Sequence, residues 1–380
     1  MEGIESLKVR LSVLTDPRQC KGVRHQLVDV LFIALTGMIC GADNAEEMET
    51  FGWSHMDWFA EFLELPHGIP SQDTFLRVFA LMEPSALRDF FVAWVRTLGE
   101  IRSGSHVAID GKTLRHSYDK ASGQRSIHMV SAWLSDAGLV LGQVKTEEKS
   151  NEITAIPKLL DMLSLKGGIV TIDAMGCQKE IAQKIVDQGA DYVLALKGNH
   201  GNLHNDVSDF LNTARNEDFA SVPHFFKETV DKGHGRIESR RYFTTSDIGW
   251  LGQRQKEWAG LKTVGLVEDE RTISGKTTCA RRCFMSSLPP NEIEKFARAV
   301  RDHWAIENSL HWVLDMIFDE DASRARMKNV AENLAILRHI ALNLLKSAPN
   351  PTHKKASMAI KRKHCGWDLD YLRTVIGFDG

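Results

Sequence analysis

Two short apolar runs, far apart in the chain, each end on an aspartate, and this repetition constrains the fold more than any other feature. In Ser105–Tyr118, SHVAIDGKTLRHSY, the run Val107–Ile109 leads straight into Asp110, and Gly111 then punctuates the strand. In Gly168–Cys177, GIVTIDAMGC, the run closes on Asp173, followed by a small residue and then a glycine. A carboxylate at the end of a buried strand is costly unless something pairs with it or binds it. Alone, Asp110 reads as an acidic turn residue after an edge strand. Lys112 and Arg115 follow closely enough to pair with it or with an anion beside it. The second copy changes that reading, because two strands that each deliver an aspartate are the usual raw material of a divalent-metal site.

The surrounding pattern places both strands in one sheet. Val107–Ile109, Ile127–Leu134 and Leu139–Val144 read as three strands, the last two joined by the turn Ser135–Gly138. A helix over Asn151–Leu163, a strand at Ile169–Ile172, a helix over Gln178–Gln188 and a strand at Tyr192–Leu196 follow. Three antiparallel strands and then helix–strand–helix–strand make a mixed α/β sheet. That order resembles the ribonuclease-H-like fold, in which the first and fourth strands lie side by side. The resemblance implies that Asp110 and Asp173 meet although 173 − 110 = 63 residues separate them.

Upstream, residues 1–100 read as an all-helical domain. It has an apolar block over His25–Ala42 and an aromatic-rich stretch over Glu46–Leu65. Phe75, Val78, Phe79 and Met82 recur at helical spacing after a Ser71 cap, and a second stripe runs from Leu87 to Leu98. Helix, short turn, helix suits a DNA-binding helix-turn-helix as well as an ordinary helical hairpin, so this domain is a candidate for binding a DNA end. The ribonuclease-H-like domain is expected over 104–345.

Downstream, the residues at about 198–288 read as a β-rich insertion. Its strands are Arg236–Thr244, Gly260–Glu268 and Thr277–Ser286, with a hairpin turn at Ile273–Lys276. Pro289 and Pro290 end it. One long helix, capped by Asn291, then runs through NEIEKFARAVRDHWAIENSLHWVLDMIF. Glu307 falls inside its apolar stripe, between Val300 and Leu310, and an inward glutamate needs a partner. The alternative is a salt bridge to a nearby cation; two inward acids already wait for a third. A further apolar helix spans Val330–Leu345. The tail, 346–380, holds Lys354, Lys355, Lys361, Arg362 and Lys363 and reads as a phosphate-contacting arm or a solvated face.

Composition bounds the rest. The chain has 380 residues, 43% hydrophobic and 26% charged, which suits a soluble globular protein with ample core. Val30–Gly41, the longest apolar run, is too short to span a bilayer, and no signal-peptide pattern opens the chain. Reduced thiols in a cytoplasm are the default, and no membrane partner is expected. Six scattered cysteines, with only Cys279 and Cys283 close, offer no zinc-finger spacing. With a formal net charge of −3, any nucleic-acid surface must be a local basic patch. The expected patch surrounds the acids and collects Lys112, Arg115, Arg236, Arg324, Arg326 and some tail lysines.

Seven strings in order resemble the DDE transposases of bacterial insertion sequences, most of all the H-repeat-associated subgroup. They are GIPSQDTFLRVF (Gly68–Phe79), AIDGKTLRHSYD (Ala108–Asp119), EKSNEITAIPKLL (Glu148–Leu160), TIDAMGCQKEIA (Thr171–Ala182), LALKGNHGNL (Leu194–Leu203), HGRIE (His234–Glu238) and HWAIENSLHWVLD (His303–Asp315). The resemblance covers nearly the whole chain. It implies that Asp110, Asp173 and Glu307 are an acidic triad, that they are both catalytic and metal-holding residues, and that a β-rich insertion precedes the glutamate. DNA contacts would come from Lys112, Arg115, Lys197, His234, Arg236, His303, Asn308 and His311. Many relatives in the wider superfamily surround the glutamate with a tyrosine, an arginine and a lysine. This chain has Val300, His303 and Leu314 there.

The implied chemistry is DNA phosphodiester cleavage and strand transfer at element ends. Two Mg²⁺ ions (or Mn²⁺) about 4 Å apart can activate the attacking oxygen and stabilise the leaving one. Asp110 would bridge both ions, Asp173 would hold one and Glu307 the other. The partners would be double-stranded DNA, as element ends and target, and a second copy in a homodimer. A ribonuclease-H-fold nuclease that only hydrolyses, and a catalytically idle DNA-binding descendant of a transposase, are the competing readings.

Overall fold

The computed structural model describes residues 2–19, 23–118, 123, 125–147, 152–233 and 236–377. Six helices come first: α1 (Glu2–Leu11), α2 (Leu27–Cys40), α3 (Ala45–Ser54), α4 (Met56–Ala60), α5 (Gln72–Leu81) and α6 (Pro84–Leu98). α2 is the apolar block met in the sequence, and nearly all of it is buried. Gly41 ends it at φ +119°, a left-handed conformation that a side chain would disfavour.

The sheet begins with β1 (His106–Thr113), β2 (His128–Leu134) and β3 (Leu139–Lys145). Then come α7 (Glu152–Met162), β4 (Ile169–Ile172), α8 (Lys179–Asp187) and β5 (Asp191–Leu196). β1 pairs antiparallel with β2 and parallel with β4, and β4 pairs parallel with β5. The order β3-β2-β1-β4-β5, with β2 reversed, is the ribonuclease-H-like arrangement. β1 outruns its apolar run by four residues. Asp110, Gly111, Lys112 and Thr113 stay paired to β2, from Asp110↔Ser131 to Thr113↔His128. Backbone pairing continues there although the side chains have turned polar, so hydrophobicity alone ends the strand too early.

The insertion is part of this sheet. α9 (Asn202–Asn216) leads into β6 (Phe225–Gly233), β7 (Arg236–Thr245), the short α10 (Gln253–Lys256), β8 (Thr263–Ile273) and β9 (Lys276–Ser286). β9 pairs antiparallel with β5, so nine strands run in the order β3-β2-β1-β4-β5-β9-β8-β7-β6. β6 and α9 were not expected. β6 is a mostly exposed edge strand with no buried residue, so its sequence lacks an apolar face.

After the sheet come α11 (Ile293–His303), a π-helical turn (Glu307–His311), α12 (Trp312–Ile317) and α13 (Val330–Ser347). α13 is buried from Val330 to Leu345 and stands between the N-terminal helices and the sheet, so one hydrophobic core runs through both. Asn343 clips α13 to the sheet by accepting from the Val140 N–H and donating to its carbonyl, both at 2.9 Å. Asn333 ties it to the end of α5 by donating to the carbonyls of Phe79 and Met82.

The C-terminal residues form α14 (Met358–Trp367) and α15 (Leu369–Ile376). Here the expected arm needs correcting. Lys354, Lys355 and Lys363 are exposed, but Lys361 and Arg362 are buried. Lys361 donates to the carbonyls of Leu345 (2.9 Å) and Ala348 (2.5 Å) at the C-terminus of α13. Arg362 donates to the Met38 carbonyl at the C-terminus of α2, to the Ile317 carbonyl, and to Asp43 at 2.6 Å. Both cations satisfy the free carbonyls of helix ends, which is a use that a charge count cannot reveal.

Candidate functional site

The last registered pair between β1 and β4 is Ile109↔Ile172. Asp110 and Asp173 are therefore the next residues on adjacent parallel strands. Glu307 opens the π-helical turn where an unbroken α-helix was expected. Such wide turns inside helices occur frequently at functional sites. Asp110, Asp173 and Glu307 all line one cavity of about 250 Å³, together with Thr171, Lys197, Arg282, His303 and Trp304.

The contacts inside this cavity are uneven. His311 Nδ1 lies 3.6 Å from Asp110 Oδ2 and 3.3 Å from Glu307 Oε2. Ligand atoms of Asp110, Glu307 and His311 come within 4.8 Å of one another. Asp173 stands outside that trio. Its Oδ1 accepts from the backbone N–H groups of Met175 (2.9 Å) and Gly176 (3.3 Å), which makes a tight turn after β4. Residue 176 must be glycine in this turn, since a Cβ there would run into Ile172 and Ile156.

Burial is the main cause that pushes the Asp110 carboxyl up to about 7, and the charges of Glu152, Glu307 and Asp173 add to it. The backbone N–H of Gly111 works the other way. A carboxyl crowded by other acids is a group that binding a cation would relieve. The donor set therefore fits a hard divalent ion.

Glu152, the charge that acts most on Asp110, was not singled out in the sequence, although it lies inside EKSNEITAIPKLL. It pairs with His128 Nε2 at 2.8 Å, and His128 Nδ1 meets Thr113 Oγ1 at 2.8 Å. Both Glu152 and His128 press against Gly111, where any side chain would collide with them. A second chain of contacts runs under the cavity. His303 Nδ1 lies 3.0 Å from Thr171 Oγ1, which lies 2.7 Å from His106 Nε2, and His106 Nδ1 is 2.9 Å from Ser135 Oγ. Burial holds His303 down to about 4 and His106 to about 3, so both rings are neutral. Nothing in the spacing of these residues signals the chain, because its members come from four separate elements or turns.

The other expected contacts divide. Lys197 is exposed and lines the acidic cavity, as does His303. Arg236 and Asn308 line the adjoining groove between the insertion and α11. Arg236 pairs there with Glu238 at 3.2 Å. Arg115 is exposed but bonded to Asp321 at 3.2 Å. His234 lies outside the described residues. Lys112 departs from expectation: its ammonium is enclosed by Asp315 and Glu320, at 11% exposure, and faces carboxylates of the protein instead of solvent. Arg324 lines a different groove, beside Asp43–Glu47, so the expected ring of cations around the acids does not form as drawn.

The sequence model described as the transposase DDE domain matches residues 101–344, and one for its associated domain matches residues 9–95. The chain belongs to the DDE transposase family. The H repeat-associated putative transposase YhhI of Escherichia coli (strain K12) is 38% identical over 386 residues, covering 99% of each chain. The putative transposase YncI of Escherichia coli O157:H7 is 40% identical over 379 residues, covering 98% of this chain and 95% of its own. A shorter relative, the inactive transposase YbfQ of Escherichia coli (strain K12), is 35% identical over 75 residues, covering 20% of this chain and 89% of its own. In chain trace, a piggyBac transposase synaptic complex with hairpin DNA aligns at a TM-score of 0.40 and 11% identity, covering 97% of this chain and 77% of that one. Family membership supports a transposase function, and DNA binding follows from it. Val300 and Leu314 are core residues, and Val300 and His303 both line the acidic cavity.

Proposed function

We propose that this family member cleaves DNA at the ends of its own element and joins them to a target, using Asp110, Asp173 and Glu307. The observation that supports this reading most is the convergence of three acids, from two strands and a distant helix, on one cavity. Those three carboxylates would hold Mg²⁺ or Mn²⁺, with His311 against two of them. Bound there, the ions would polarise the scissile phosphate and lower the pKa of the attacking water or 3′-hydroxyl. The chain's own residues have separate tasks. Lys197 and His303 would orient a phosphate at the cavity. The groove with Arg236 and Asn308 would guide the strand that leads to it. Two copies acting on two ends, in the bacterial cytoplasm, complete the reading.

Its test is to incubate purified protein with Mg²⁺ and duplexes carrying the boundaries of its element. Nicks confined to the boundary, followed by joined products, support it. Uniform degradation favours a hydrolytic nuclease. Binding without any cut, in both Mg²⁺ and Mn²⁺, favours the idle DNA-binding reading.

A further inference from the structure

Lys112 stands two residues after Asp110 on β1, so both side chains leave the strand on the same face. It meets Asp315, which lies on α12 eight residues beyond Glu307, and Glu320, in the turn after that helix, at 2.5 Å. Glu320 is buried and faces a second cation, Arg338 of α13, at 4.0 Å. One ammonium thus ties the strand that carries Asp110 to the helix that carries Glu307, and through Glu320 to the central helix.

Two considerations argue that this link does more than fill space. A buried ion pair is a poor source of stability, since desolvating the charges cancels most of their attraction. The two acids it brackets also repel each other, and Glu307 stands on a π-helical turn where the regular helical ladder is interrupted. Buried Ile306 and Leu310 anchor this segment in the core, and the Lys112–Asp315 contact adds an attraction between charges on its C-terminal side.

We infer that Lys112 is a positioning residue: its ion pair with Asp315 holds the Glu307 helix at the separation from Asp110 that a cation shared by the two carboxylates requires. This rests on the reading of Asp110 and Glu307 as metal-holding residues. It gives Lys112 a task unlike a phosphate contact. It also gives the lysine in this motif a use as a cation, since its one ammonium faces both carboxylates.

The decisive variant is Lys112→Met/Asp315→Leu in the full-length protein. It removes one charge of each sign, so the net charge is unchanged and Glu320 keeps Arg338. Mn²⁺ affinity is read by calorimetry without DNA, alongside thermal melting in EDTA and binding to a generic duplex. The expected result is a folded protein with Mn²⁺ affinity weakened about tenfold or more, as when groups supporting metal ligands are lost, and unchanged DNA affinity. Asp315→Asn, a gentler change at a partly exposed site, should give the same direction even if the double variant does not fold. Wild-type Mn²⁺ affinity in either folded variant overturns the inference. So does a loss of DNA affinity with intact Mn²⁺ binding, which would restore Lys112 to the phosphates. If the wild type itself binds no Mn²⁺, the metal reading of the acids fails first and takes this one with it. Wild-type Mn²⁺ binding that Asp110→Asn abolishes shows the metal reading sound, so a failure then belongs to the clamp alone.

Discussion

At the scale of single residues, Asp173 and Asp110 make opposite demands on their surroundings. Asp173 uses one oxygen to accept two backbone N–H groups, and an asparagine carbonyl can accept the same pair. Asp173→Asn should therefore fold and bind element ends as the wild type does, while Mg²⁺-dependent nicking falls at least about a hundredfold, the scale of losing a transition-state electrostatic group. A variant that melts several degrees lower in EDTA and still cuts at the wild-type rate would remove Asp173 from the site. Asp110 is crowded, with its carboxyl raised to about 7 from an ordinary value of 3.8. Between those values the folded chain holds a proton that the unfolded chain has released, so metal-free stability from this group is lost as pH rises through that window. The buried neutral rings of His106 and His303 act in the other direction at low pH. The clean measurement is therefore the difference between wild type and Asp110→Asn in EDTA. The wild type should lose ground to the variant as pH rises from about 4 to about 7, the span of the shift. A constant difference would show that burial and the nearby acids do not hold the Asp110 carboxyl up.

At the scale of elements, strands with a buried face were legible and elements without one were not. β4 and the start of β1 were readable because a short, continuous apolar run between turn residues fits little besides a buried strand. β6 has no buried residue and leaves no strong mark on the sequence, whereas α9 buries Val207, Leu211 and Ala214 at helical spacing and simply went unread. The π-helical turn at Glu307 was invisible, because the periodicity on either side is helical and one extra residue per turn barely shifts the stripe. The site divides in the same way. Its three acids stood out as polar groups in apolar runs, whereas His128 and Thr171 acquire meaning only from the register between strands and Glu152 only from the packing of α7 on the sheet. α13 offers a test of packing at this scale. Asn343 bonds both the N–H and the carbonyl of Val140 in a buried contact. Asn343→Leu should cost about 2 kcal/mol or more, because two buried backbone groups lose their partners. Denaturant unfolding measures this, and a variant as stable as the wild type would mean that water replaces the clip.

At the scale of the whole molecule, the C-terminal helices close the core. Arg362 satisfies carbonyls on two elements and pairs with the half-buried Asp43, so Arg362→Met should unfold at clearly lower temperature, by about 2 kcal/mol of stability, because buried carbonyls lose their donor. The salt dependence of DNA binding by the protein that remains folded should not change. Lys354→Ala/Lys355→Ala should leave melting alone, and a smaller salt slope in that pair would assign phosphate contacts to these exposed lysines. A charge cluster in a sequence is thus two populations, sorted by whether helix ends lie within reach.

The continuity of the sheet also has a mechanical meaning. β8 and β9 each have 11 residues, about 35 Å of extended chain, and β9 is hydrogen-bonded directly to β5, next to the strand that leads into Asp173. No loop intervenes at that seam to act as a pivot. A load borne at the outer end of this arm would pass along hydrogen-bonded backbone to the neighbour of the strand that ends at the acidic cavity.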